Sequence, residues 1–310
     1  MTGTEPAPRT IRVATAALGA GLAVCGGVLR LRRHVRRSRA RLAAYDARRV
    51  ELRHGAVAYV DAGEGEPLLS SHGLYGGYDQ ALENVRTLGA HCRIIAPSRF
   101  GYPGSDVRGD GSPREQAAVF AELLDHLGIA RTFVLGASAG GTPAIRFALD
   151  YPDRVKGLIL LSSAAPWARK PHTPPRRLGP PAWMSRDGMM WLLSSVFPLV
   201  MSMPSRVVHT MMPLAERRVG ADLDARLTNR DMAVHFDDYP IEEVTAPVLL
   251  VHARDDKLVV FAPPRGQVLD SLRRYPNLTT AIYDTGGHLV AGHSQEIDAL
   301  VSEFIDRHGR

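Results

Sequence analysis

From residue 50 onward, compact apolar runs alternate with longer stretches in which apolar residues recur every three or four positions. The runs at 67–71, 93–96, 132–135, 157–161, 248–252 and 279–283 suit strands buried on both faces. Two shorter runs, 50–53 and 56–61, alternate around His54-Gly55 and predict a hairpin. Helical periodicity predicts helices over 79–88, 113–127, 139–149, 264–274 and 295–308. Ser112-Pro113 supplies a cap followed by a proline at the first helical position. This alternation predicts an α/β fold, with a mostly parallel eight-stranded sheet flanked by helices. In such sheets sites form at the C-terminal ends of strands.

Two stretches break the rhythm. Residues 164–239 open with a proline-rich segment and continue with Trp183, Met190, Trp191, Phe197 and further methionines. A structureless loop of that length is improbable in a compact domain, so a helical cap is expected there, inserted in a core made of 50–163 and 240–310. Trp183, Met190, Trp191 and Phe197 are candidate substrate-binding residues, because methionine and aromatic side chains suit an apolar pocket. Packing of the cap onto the core is an equally good use for them.

The second break follows a short tail, 1–12. Residues 13–29 carry no charge and as a helix would extend about 26 Å, the short end of a membrane span. Seven arginines lie between Arg30 and Arg41, in an expected basic juxtamembrane linker over 30–49. Positive charge stays on the cytoplasmic side, which predicts a single-pass anchor with a cytoplasmic catalytic body. Export after signal cleavage, and a helix packed on protein or lying in the interface, are the alternatives.

Charge sharpens this picture. The formal net charge is +6, yet residues 1–50 hold 11 Arg against Glu5 and Asp46, while residues 51–310 hold 27 basic and 30 acidic residues. The basicity belongs to the N-terminal segment alone, so a membrane surface is the expected partner and a nucleic acid is not. Two cysteines, Cys25 and Cys92, exclude a disulfide framework and a four-cysteine zinc site.

The candidate chemistry begins at Gly136-Ala137-Ser138-Ala139-Gly140, a G-x-S-x-G between an apolar run and a helical one. A strand–turn–helix lifts a serine Oγ above the strand end, and the new helix brings free N–H groups to the reacting oxygen. A serine hydroxyl needs a base. Its partners should follow as acid and then histidine, each after a later strand. After 248–252 come Asp255 and Asp256; Asp256-Lys257-Leu258-Val259 has the form that folds the loop back onto the core, so Asp256 is preferred. After 279–283 come Gly286-Gly287-His288, and two glycines permit a loop that turns the imidazole inward. His288 is preferred to His293 as the general base. His72-Gly73-Leu74 follows the 67–71 run, where a second oxyanion donor is expected; the amides of Leu74 and Ala139 are the candidate pair. The remaining histidines show no metal-ligand spacing.

These motifs, with Asp61 to Pro67, Tyr151-Pro152-Asp153-Arg154-Val155 and His252 to Asp256, make the chain resemble the α/β-hydrolase superfamily over about residues 50–310. The resemblance implies a Ser138–His288–Asp256 triad, a cap after the sixth core strand, and no metal or organic cofactor. It implies hydrolysis of a carboxylic ester or thioester, of a small or lipid-like apolar substrate, through an acyl-enzyme. Acyl transfer, carbon–carbon bond hydrolysis, cofactor-free perhydrolysis and non-hydrolytic small-molecule binding use the same fold and stay open. A serine argues against the aspartate-dependent dehalogenases and epoxide hydrolases. One departure stands out: many members carry D-x-R-G-x-G-x-S, where this chain has Pro97-Ser98-Arg99-Phe100-Gly101-Tyr102-Pro103-Gly104-Ser105.

Overall fold

Eight strands form one sheet in the order β1-β2-β4-β3-β5-β6-β7-β8. They are β1 (Arg48–Leu52), β2 (Gly55–Ala62), β3 (Glu66–Ser71), β4 (Cys92–Pro97), β5 (Thr132–Ala137), β6 (Val155–Leu161), β7 (Val248–Ala253) and β8 (Leu278–Tyr283). This computed structural model describes residues 9–197, 204–262 and 268–309. β1 and β2 form the expected hairpin, closing with Leu52 opposite Gly55, and β2 pairs antiparallel with β4. All other pairs are parallel.

The apolar runs are continuous because each strand feeds two cores. Leu68, Ile94, Phe133 and Ile159 pack on one side of the sheet, and their neighbours Leu69, Ile95, Val134 and Leu158 on the other. Each such side chain, fully removed from water, contributes about 1.5–3 kcal/mol before entropy is counted. One face is covered by α2 (Tyr78–Glu83) and the C-terminal helix, Ser294–His308. The other is covered by α3 (Pro113–His126) and α4 (Gly141–Asp150). The Ser112 side chain caps α3 by accepting from the Glu115 amide.

Several helix expectations change. The 79–88 helix is shorter: α2 ends at Glu83 and a 3₁₀ turn follows at Arg86–Ala90. Of 264–274, residues 263–267 lie outside the described ones, and only Val268–Ser271 is helical. The basic linker over 30–49 is corrected most. It is helical to Ala43, as part of α1 (Arg9–Ala43), a 35-residue helix that precedes the sheet. Its second half is held helical by a stripe at three- and four-residue spacing, Leu31, His34, Val35, Ser38 and Leu42, which turns toward the body and buries Ser38 and Leu42. The span expected over 13–29 falls mostly on residues 9–23, whose side chains lie outside the described ones. Among the described residues no helix is long and apolar enough to cross a membrane. A single-pass anchor is therefore not supported.

Residues 164–239 contain no strand among the described residues. They hold a 3₁₀ turn at Ala182–Met184, α5 (Asp187–Leu193), α6 (Ser205–Thr210), a second 3₁₀ turn at Leu214–Glu216, α7 (Arg218–Leu223), a π turn at Asp224–Thr228 and α8 (Asn229–Val234). Two buried ion pairs join this segment to the core: Arg217 with Asp79, and Asp224 with Arg99, each at 2.6 Å.

Candidate active site

Ser138 sits at the end of β5 with φ of 52°, a left-handed conformation costly for a side-chain-bearing residue. The turn is tight enough to demand its glycines. A Cβ at Gly140 would stand 2.2 Å from the Ser71 carbonyl oxygen, and one at Gly136 would stand 2.6 Å from the Gly141 Cα. A 3₁₀ turn over Ser138–Gly140 leads directly into α4, so the Ala139 amide lies at a helix start beside the serine.

Strand pairing brings the remaining groups to the same end of the sheet. β7 and β8 are neighbours with Ala253 opposite Tyr283, so the loops that carry Asp256 and His288 emerge side by side. His288 Nδ1 donates to Asp256 Oδ2 at 2.8 Å, and its Nε2 faces Ser138 Oγ at 3.0 Å. The second oxygen of Asp256 accepts the amides of Leu258 and Val259 at 2.8 and 3.0 Å. Burial works against charge on this carboxyl. The His288 contact and the two amides outweigh it, so Asp256 titrates below the usual carboxylate range. The competing Asp255 is exposed and accepts from the Gly287 amide at 2.8 Å, bracing the loop that carries His288. The His293 ring lies tilted against Tyr283, with ring centroids 4.1 Å apart, and faces Glu296.

β3 and β5 are also neighbours, with Ser71 opposite Gly136, so the His72-Gly73-Leu74 loop runs beside the serine turn. A Cβ on Gly73 would lie 3.1 Å from Ser138 Cβ. The loop is held on every side of Leu74. Gln80 accepts from the Gly73 amide at 2.8 Å, the Tyr102 hydroxyl accepts from the Tyr75 amide at 3.3 Å, and Arg217 donates to the carbonyls of Tyr75 and Gly76. Buried His72 donates from Nδ1 to the Gly73 carbonyl and accepts the Arg99 amide at Nε2. Burial, then the Arg99 charge, push its pKa well below the ordinary histidine value, so the ring is neutral. Arg99 donates to the His72 carbonyl at 2.9 Å and is neutralised by Asp224, which also accepts from Tyr102 at 2.6 Å. The braces from Arg217 and Asp224 have no signature in the sequence, because each pairs residues more than a hundred positions apart.

The cap residues divide. Met190 and Phe197 are buried in a cluster with Tyr75, Val208, Leu214 and Leu74, directly against the loop that carries Leu74. Trp183 is 51% exposed and Trp191 is half-buried, and neither belongs to that cluster. The hydrogen bond from Arg217 to Tyr75 and that between Tyr75 and Ser185 occupy the polar groups on this side. Among the described residues no cluster of His, Cys, Asp or Glu could hold a metal ion.

The sheet order and the serine turn define the class, an α/β-fold hydrolase. A family model described as the alpha/beta hydrolase fold matches residues 66–190. A 2-hydroxy-6-oxononadienedioate/2-hydroxy-6-oxononatrienedioate hydrolase of Burkholderia vietnamiensis is 28% identical over 277 residues, covering 81% of this chain and 91% of that protein. Two solved structures share the fold. An alpha/beta hydrolase fold protein from Nakamurella multipartita is 24% identical, with TM-score 0.61 and coverage of 86% of this chain and 100% of that one. The esterase RhEst1 from a Rhodococcus species is 20% identical, with TM-score 0.63 and coverage of 84% and 99%. The chain carries the alpha/beta hydrolase fold and is a hydrolase similar to these proteins.

Proposed function

We propose that this protein hydrolyses carboxylic esters or thioesters of small or lipid-like apolar acids through an acyl-enzyme on Ser138. The observation that carries this reading is the hydrogen-bonded line from Asp256 through His288 to Ser138. With Nδ1–H committed to Asp256, Nε2 is the free acceptor. It takes the Ser138 proton as Oγ attacks the carbonyl carbon, and Asp256 stabilises the imidazolium that forms. The amides of Leu74 and Ala139 hold the oxyanion, and loss of one such donor costs about 10²–10³-fold in kcat. Collapse expels the alcohol or thiol, which receives the proton from Nε2–H. Water, deprotonated by the same nitrogen, then releases the acid.

The surroundings favour an uncharged acyl group. The two buried guanidiniums beside the oxyanion loop, Arg99 and Arg217, are each occupied by a carboxylate and offer no charge to a dicarboxylate such as the Burkholderia relative's name specifies. The cluster around Met190 and Phe197 is apolar. The exposed arginines of α1 suit contact with an anionic lipid surface rather than a span across it, and sedimentation with anionic against zwitterionic vesicles at rising salt tests that contact.

The central test is labelling with a fluorophosphonate, followed by a chain-length series of nitrophenyl esters. The parent should label and turn over esters, and Ser138→Ala should do neither. Equal labelling of both proteins would remove Ser138 from this role. A parent that labels but hydrolyses no ester would shift the reading to acyl transfer or carbon–carbon bond cleavage.

A further inference from the structure

Helix α1 adds no strand and lies outside the sheet, yet its second half is clamped to both the core and the cap. On the core side, Leu42 is buried and its carbonyl accepts from the Tyr78 hydroxyl at 3.2 Å. On the cap side, Arg41 Nη2 donates to the carbonyls of Thr210 and Met212 at 2.7 and 2.9 Å, which close the C-terminal end of α6. The same nitrogen stands 3.8 Å from Asp79, the partner of Arg217. Two turns earlier and beyond, the His34 ring packs on His209 with centroids 4.6 Å apart, and Leu31 reaches the backbone of α5 at Gly188.

These contacts lead to the serine by two routes. Val208 of α6 and Leu214 lie in the cluster that packs on Leu74 and Tyr75. Asp79 orients Arg217, whose guanidinium holds the carbonyls of Tyr75 and Gly76. The other half of the cap, α7 onward, is fastened to the core by Asp224 and Arg99 and by the Gly220 amide on the Gly101 carbonyl. The half that carries Met190 and Val208 has α1 as its second wall.

We propose that Arg41 is a positioning residue through which α1 sets the outer half of the cap over the oxyanion loop, and thereby selects the acyl chains that reach Ser138. The proposal goes beyond ester hydrolysis but rests on Ser138 being the activated nucleophile. Its test uses full-length protein with Arg41→Ala, the conservative Arg41→Lys, the milder His34→Ala, and Arg33→Ala on the exposed side of α1 as the control.

Two readouts are combined. Amide hydrogen exchange over 205–212 needs no substrate. Labelling rates with short- and long-alkyl fluorophosphonates report access to Ser138. Arg41→Ala should speed exchange there by about tenfold, through loss of two charge-assisted hydrogen bonds. It should also flatten the ratio of long- to short-chain labelling rates by about fivefold or more, with the short-chain rate within about twofold of the parent. Arg41→Lys should recover part of both effects, His34→Ala should shift them in the same direction, and Arg33→Ala should leave both unchanged. Unaltered exchange and an unaltered ratio in Arg41→Ala would overturn the proposal. So would a uniform loss at both chain lengths with faster exchange throughout the sheet, which marks general destabilisation. If the parent itself does not label, the nucleophile assignment fails, and exchange over 205–212 alone decides whether α1 supports the cap.

Discussion

The strand ends around Ser138 and the cap that packs on the neighbouring Leu74–Tyr75 loop are built by opposite rules. The serine turn is local: its geometry is enforced by glycines two positions away on either side. The acid loop is local too, since Asp256 takes two amides from within three residues. The cap is held at a distance. Arg217 finds its carboxylate 138 positions away, and Asp224 its guanidinium 125 positions away. The Ser138–His288–Asp256 geometry is carried by short motifs, while the cap is held by pairings that close only when the chain has folded.

The strongest way to break this comparison is to swap the two adjacent aspartates' roles. Asp256→Asn should lower kcat by about 10⁴-fold, because the histidine loses its orienting carboxylate. Asp255→Asn removes one exposed brace on Gly287 and should cost no more than about tenfold. Steady-state rates on one nitrophenyl ester decide, and comparable losses in both would erase the distinction.

A smaller effect tests the distant pairing. Asp224→Ala leaves Arg99 buried without its carboxylate and should cost about 3–5 kcal/mol in urea denaturation. Asp222→Ala, which removes a partly exposed partner of Arg177 and Arg226, should cost about 0–1 kcal/mol. Equal values would mean that the cap is not fastened through its interior.

The smallest effect is pH-dependent and belongs to the strand ends. Burial lowers the pKa of His72 and of His252, so both are neutral in the fold and take up protons more readily in the unfolded chain. Their contribution is complete above the ordinary histidine value of 6.5 and is lost as pH falls below it. Amide protection, corrected for the intrinsic exchange rate, should therefore fall between pH 7.5 and 5.5 over 72–76 before it falls over 218–234. The reverse order would place the acid-sensitive groups in the cap.

What could be read from the sequence follows the same division. The strands were legible because a run buried on both faces leaves an uninterrupted apolar signature. Ser138, Asp256 and His288 could be singled out because each follows such a run with a turn that only small or capping residues allow. The 30–43 segment was misread because its arginines dominate the composition. The stripe from Leu31 to Leu42 that holds it helical means little until the surface it packs on is known. Trp183 and Trp191 were grouped with Met190 and Phe197 by composition, and only the packing separated them.

The sequence by itself pointed to the strands, their order along the chain and the residue types at three strand ends, because those leave patterns within a few positions. The tertiary structure decided which cap side chains pack with Leu74 and Tyr75, why Arg99 and Arg217 are charged yet silent, and where α1 meets the cap. Each of those depends on a partner more than a hundred residues away, and no local pattern encodes such a partner.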